Sequence, residues 1–199
     1  SIHTRLASLT SDDRFFVVQK DSTVCTIFNT LTGEKITDFP FTYKTIYDIP
    51  EYVTVSYDGK YFCASSENGM ELFEIIDTTT TLLYTDTRDY QAAIFVPTQS
   101  DKLLLRVDSA IEIRQIPGFN LIQTLDISAE GATICNIDPA SMSLLYYQNH
   151  ALKVCKINDI SETIFKIRSD QKTCKMYNNK LLTYGKGGIS FDISPYLSY

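Results

Sequence analysis

Apolar and polar positions along this chain return in one fixed order, five times over. A polar turn leads into a short apolar run: Asp13-Arg14-Phe15-Phe16-Val17-Val18, Gly59-Lys60-Tyr61-Phe62-Cys63-Ala64, Asp101-Lys102-Leu103-Leu104-Leu105, Met142-Ser143-Leu144-Leu145-Tyr146-Tyr147 and Asn179-Lys180-Leu181-Leu182-Thr183-Tyr184. Counted from Arg14, Lys60, Lys102, Ser143 and Lys180, the steps are 46, 42, 41 and 37 residues. A few polar residues later each run is followed by one of period two: Cys25-Thr26-Ile27-Phe28, Met70-Glu71-Leu72-Phe73, Ile111-Glu112-Ile113, Leu152-Lys153-Val154 and Ile189-Ser190-Phe191. Alternation over so few residues predicts strands, because successive side chains of a strand point to opposite faces.

Two further β-rich pieces complete the repeat. One precedes each apolar run, at 4–9, 52–55, 92–96, 133–137 and 173–177, and one follows the first four alternating runs, at 35–39, 81–85, 121–125 and 163–167. Four short antiparallel strands per roughly 40 residues is the unit of a β-propeller blade. A blade lies between two others, so its inner strands are covered on both faces and read as continuous apolar runs, as Phe-Phe-Val-Val and Leu-Leu-Tyr-Tyr do here. A β-sandwich also has many short strands, but it does not explain the same four pieces returning in the same order. The expected fold is all-β, a propeller of about five four-stranded blades at approximately 4–41, 45–86, 91–127, 132–168 and 172–199.

The segment from Ser11 through Phe28-Asn29 to Leu31-Thr32-Gly33-Glu34 resembles a WD-repeat blade, and so does Val55-Ser56-Tyr57-Asp58-Gly59-Lys60-Tyr61-Phe62 followed by Gly69-Met70-Glu71-Leu72-Phe73-Glu74. Phe28-Asn29, Phe73-Glu74 and Phe191-Asp192 stand where that family has its Trp-Asp pair. The third and fourth repeats put Arg114-Gln115 and Cys155-Lys156 there, and the chain has no Trp and no Gly-His pair. The resemblance is to a divergent WD-repeat propeller, and it implies a platform for other proteins. These departures leave the strand pattern intact but not the family's His-to-Asp hydrogen-bond network.

Five first, five second, five third and four fourth strands fall short of five complete blades, and rings of this family commonly have about seven. The expectation is part of a larger propeller whose missing blades come from the rest of the chain or from a partner. The alternative is a closed five-blade ring. An open blade edge exposes unpaired backbone groups that another strand would cover. The start at Ser1, without Met and without an apolar leader, points to a processed chain or an internal segment.

With 18 Lys+Arg against 24 Asp+Glu in 199 residues, the net charge is −6. That acidic balance argues against direct nucleic-acid binding. No apolar run approaches the length of a membrane-spanning helix, and no membrane contact is expected. Five cysteines, Cys25, Cys63, Cys135, Cys155 and Cys174, are odd in number, widely spaced and set among β-forming residues. They read as reduced, buried thiols of a cytoplasmic protein.

Candidate chemistry is thin. His150 precedes Cys155 by five residues, with no Asp at a useful spacing for a nucleophile, and the cysteines lack a zinc-ligand pair. Gly185-Lys186-Gly187-Gly188 has the glycines and lysine of an anion cradle, but no following Ser/Thr and no helix, so it reads as a hairpin. Asp12-Asp13 and the acidic stretch 86–89 lack the alternating oxygen ligands of a calcium loop. No catalytic, cofactor-binding or metal-binding residue is expected. The many Tyr and Phe side chains, without a basic stripe, read as packing between blades.

What is left is surface. The blade-to-blade loops at 41–49, 85–91, 126–131 and 168–172 and the central hairpins share one face of a propeller. Tyr43, Tyr47, Arg88 and Tyr90 in the loops, with His150 and Lys186 in hairpins, are the candidate partner-binding residues, because Tyr and Arg anchor interfaces. The competing reading of the tyrosines is packing beneath their own loops. The function expected is a non-catalytic protein–protein interaction scaffold in an intracellular multiprotein assembly. The alternative is a propeller hydrolase, or a small-ligand or peptide sensor, with its site in the central channel. That would need convergent acidic or His side chains on first strands, which carry Ala92-Ala93-Ile94, Ile134-Cys135 and Thr173-Cys174, or an aromatic cage at the mouth.

Overall fold

The computed structural model describes residues 7–9, 15–19, 24–40, 52–66, 69–77, 79–126, 132–168, 174–178, 180–183, 190–192 and 195. Among them are nineteen strands. The first sheet is β1 (Ala7–Leu9), β2 (Phe15–Gln19), β3 (Val24–Asn29) and β4 (Lys35–Pro40), and the second β5 (Tyr52–Val55), β6 (Tyr61–Ser66), β7 (Gly69–Ile76) and β8 (Thr79–Asp86). The third is β9 (Tyr90–Phe95), β10 (Lys102–Val107), β11 (Ala110–Gln115) and β12 (Asn120–Asp126). The fourth is β13 (Thr133–Asp138), β14 (Ser143–Gln148), β15 (Ala151–Lys156) and β16 (Asp159–Arg168), and the fifth β17 (Cys174–Tyr177), β18 (Lys180–Thr183) and β19 (Ser190–Asp192).

Neighbours in sequence are neighbours in every sheet, so each is an up-and-down meander, the blade that the repeat predicts. The repeat is visible in single bonds. The Ile75 N–H donates to Lys60 O, Ile116 N–H to Asp101 O and Ile157 N–H to Met142 O, at 2.6, 2.7 and 3.0 Å, one repeat apart each time. Each fastens the exit of a third strand to the turn that opens the second. Hairpins follow local chemistry. Gln148 pairs with Ala151 across Asn149 and His150, both at positive φ (55° and 52°), the backbone a two-residue hairpin with strand-matching twist requires.

Two compact units divide the chain, residues 1–108 with 112–122, and 109–111 with 123–199. In the first, two apolar layers form because β6 and β7 are covered on both faces. Phe62, Ala64, Phe73 and Ile75 meet Phe15, Val17, Cys25 and Ile27 of the first sheet. The alternate positions Cys63, Met70 and Leu72 meet Tyr90, Ala93, Phe95, Leu103 and Leu105 of the third. Period two in the sequence becomes two interfaces. In the second unit Leu145, Tyr147, Leu152 and Val154 pack with Cys174, Met176 and Leu181.

Candidate functional site

Some polar residues of the strands bond within their own sheet, as Thr26 does to Asp38, while others join one sheet to the next, and a cluster of the second kind lies in the first unit around Asp86. Gly69 places it. At φ +142° its Cα faces the chain turning out of β8, where an added Cβ would sit 2.4 Å from Asp86 O, so only glycine admits that backbone. Asp86 then turns its carboxylate back on the next strand. Its Oδ2 accepts from Arg88 Nε (2.7 Å), Tyr90 OH (2.7 Å) and Tyr84 OH (3.2 Å), and its Oδ1 accepts from the Thr87 and Arg88 N–H groups (2.6 and 3.1 Å).

A second tier extends the cluster into β11. Arg88 Nη2 donates to Tyr90 OH at 3.1 Å and its Nη1 lies 3.5 Å from Glu112 Oε1. Arg114 Nε donates to Glu112 Oε2 at 2.7 Å and Nη1 to Phe119 O at 3.0 Å. The Arg114 guanidinium also lies 4.8 Å from the Phe119 ring centroid, and Tyr84 stacks on that same ring with centroids 3.8 Å apart. The Phe119 ring thus carries both an aromatic stack and a cation contact.

Burial by itself would raise the Asp86 carboxyl, but the bonds from Arg88, Tyr90 and Thr87 outweigh it and hold the carboxyl well below the usual range. Burial, reinforced by the bond to Asp86, pushes the Tyr90 hydroxyl well above the usual tyrosine range. Five donors on one carboxylate fill the acceptor capacity of its two oxygens. Asp86 is thus a saturated ion-pair hub that ties β8 to β9 and, through Arg88, to β11.

Related clamps recur. The Thr54 side chain accepts from Phe95 N–H at 3.4 Å, and Asn136 bonds the Met176 backbone at both ends, 2.8 and 2.9 Å. Thr54 pairs with Cys63 and Asn136 with Leu145, each the third residue of its second strand, so the two clamps occupy the same register position. Within the second unit, Gln123 of β12 donates to Ile157 O and Asn158 O at 3.2 and 2.9 Å and accepts from Ile160 N–H at 3.1 Å.

Of the residues singled out from sequence, Arg88 and Tyr90 come together in the Asp86 cluster. Tyr90, expected in the loop at 85–91, is instead the first residue of β9 and has no exposed surface, packing in the apolar layer with Cys63, Met70 and Phe95, and Arg88 keeps 34% of its side chain at the surface. His150 is exposed in its hairpin in the second unit. Tyr43, Tyr47 and Lys186 lie outside the described residues, as do the segment 185–188 expected to form a hairpin and Asp12-Asp13. Glu112, Arg114, Gln123 and Asn136 were not foreseen. The available signal was a charged residue between two apolar ones, as in Ile111-Glu112-Ile113-Arg114, inside a strand covered on both faces. Among the described residues no group of three or more His, Cys, Asp or Glu could hold a metal ion, and no helix is long and apolar enough to cross a membrane.

Among solved structures, the chain is similar to the β-propeller domain of Myceliophteria thermophila Cps50 (Swd1), with a TM-score of 0.65 and 11% sequence identity over 96% of this chain. The match takes in 66% of that domain, so this chain spans just under two thirds of its length. No protein-family model and no curated protein matches the sequence. The likeness establishes the fold: an all-β propeller of about five blades.

Proposed function

We propose that this chain is a non-catalytic, WD-repeat-like scaffold that holds other proteins in a cytoplasmic multiprotein assembly. The observation that carries the reading is where apolar surface is left. Leu31 is 91% exposed at the tip of the β3–β4 hairpin, and Leu82, Leu121 and Ile122 on the outer strands β8 and β12 are 48, 50 and 42% exposed. The Leu31 hairpin is a built feature, since Asn29 Oδ1 accepts from the Leu31 and Thr32 N–H groups (2.9 and 3.2 Å) and Gly33 turns the chain at φ +69°. An apolar side chain presented by an ordered turn is the form of an interface anchor. The carboxylate of the Asp86 cluster is meanwhile saturated by internal donors, which suits framework rather than acid–base chemistry.

The same reading makes this chain part of a larger propeller, completed by further chain or by a partner. The test is affinity capture of the tagged full-length protein followed by native mass spectrometry, beside Leu31→Glu and a Leu121→Glu/Ile122→Glu pair. Stable protein companions that one of these variants sheds while it keeps its fold are the expected result. A lone chain, or companions indifferent to all three substitutions, would overturn the reading.

A further inference from the structure

Two thiols meet where the fourth and fifth sheets adjoin within the second unit. Cys135 Sγ on β13 and Cys174 Sγ on β17 lie 3.0 Å apart, closer than sulfurs in simple van der Waals contact, with no disulfide joining them. The backbone arranges the meeting. In the ladder between β13 and β14, Ile134 pairs with Tyr146 and Asn136 with Leu145, so Cys135 is the extra residue of a β-bulge. A bulge re-aims the side chain it inserts. One residue further on, Asn136 holds both backbone groups of Met176, fixing β17 two residues from Cys174.

We infer that Cys135 and Cys174 form a redox latch: a peroxide-class oxidant joins them in a reversible disulfide that staples the fifth sheet to the fourth. Exposure distinguishes one member of this pair from the other cysteines, and ionisation distinguishes the second. Cys135 is partly exposed; its partner Cys174 is buried, as are Cys25, Cys63 and Cys155 in second and third strands. Ionisation of Cys174 is eased by the neighbouring Cys135 thiol against the opposing effect of burial. Burial raises the Cys63 thiol and pushes that of Cys155 up to about 12, and the bond to Cys174 together with burial raises that of Cys135, so within the pair it is Cys174 that supplies the thiolate.

The chemistry balances with hydrogen peroxide. The Cys174 thiolate attacks one peroxide oxygen, an S–O bond forms as O–O breaks, and the departing hydroxide takes up a proton as water. Cys135, losing its proton, then attacks the sulfur of the resulting sulfenic acid; S–S forms as S–O breaks, and a second water leaves. Two thiols give up two electrons and two protons, and the peroxide is reduced to two waters. Closing from the observed separation to a disulfide bond requires movement of about 1 Å.

The experiment treats the reduced full chain with hydrogen peroxide, blocks remaining thiols and maps the peptides by mass spectrometry. The expected product is a Cys135–Cys174 cross-link, formed before any other thiol is lost, undone by dithiothreitol and accompanied by a melting temperature that rises on oxidation and returns on reduction. In Cys135→Ser, Cys174 should instead stop at a sulfenic acid trapped by dimedone. Pairing elsewhere, independent over-oxidation of Cys135 and Cys174 without a link, or no reaction of the pair would each overturn the latch. The wild-type peptide map decides the matter even if Cys135→Ser does not fold.

Discussion

The side-chain amide of Asn136 lies against the backbone of Met176 like a short piece of β-ladder, its Nδ2 donating to Met176 O at 2.8 Å and its Oδ1 accepting from Met176 N–H at 2.9 Å. Two backbone groups of β17 thus depend on one side chain of β13. Asn136→Leu keeps the branched shape and removes both bonds, leaving a part-buried N–H and C=O without partners, at an expected cost of about 2–4 kcal/mol. Thr54→Val removes only the single long bond to Phe95 N–H and should cost about 1 kcal/mol or less. Urea unfolding of the two variants checks the ranking; equal losses would mean that the Asn136 clamp adds nothing to burial.

Asp86 gives a pH signature. Its carboxyl is held below the usual range in the folded protein, so the stabilisation is fully present above the unfolded-state value of about 3.9 and is lost as pH falls from there toward the lower folded value. Asp86→Asn should therefore be less stable than the natural chain at neutral pH by about 2 kcal/mol. The gap should close progressively below about pH 4. Tyr90→Phe, which removes one donor and leaves Arg88 in place, should show a smaller loss. Denaturant midpoints between pH 7 and 3 test this, and a gap that stays constant on acidification would refute the ion-pair account.

Glycine positions carry unequal weight. At Gly69 an added Cβ meets the backbone oxygen of Asp86 at 2.4 Å, at a φ that side chains avoid, and backbone cannot step aside cheaply. Gly69→Ala should cost about 3 kcal/mol or more. At Gly59 (φ +76°) the obstacle at 3.0 Å is the end of the Phe15 ring, which can yield, so Gly59→Ala should cost about 1–2 kcal/mol. Because Gly69 sets the position of Asp86, Gly69→Ala and Asp86→Asn should fall short of additivity in a double-mutant cycle.

The strand pattern was legible because blades are covered on both faces, which writes apolar runs and alternation directly into the sequence. The outer strand expected at 81–85 is Thr79–Asp86, and that at 163–167 is Asp159–Arg168, lengthened where register shifts against β15 let the hairpin run on. The polar framework was far less legible. Arg88 and Tyr90 stand out by residue type, but their partner Asp86 looks like any acidic turn residue, and Glu112 and Arg114 carry charges that ordinarily mean a solvated face. Asn136 answers to backbone forty residues further along the chain, and a backbone partner leaves no mark in residue type.

His150 joins the hairpin to the question of function. It sits at φ 52°, a conformation costing a non-glycine residue about 1 kcal/mol, and it follows Asn149, so His150→Gly creates the Asn-Gly pair such a turn favours. The relief of turn strain should contribute up to about 1 kcal/mol, set against the greater freedom of glycine in the unfolded chain and the loss of the imidazole's own interaction. If the imidazole also touches a partner, as its place among the candidate binding residues suggests, the variant should capture less of that partner. Binding that survives His150→Gly while stability rises would assign the hairpin to folding alone and leave Leu31 and the outer-strand residues as the surface to pursue.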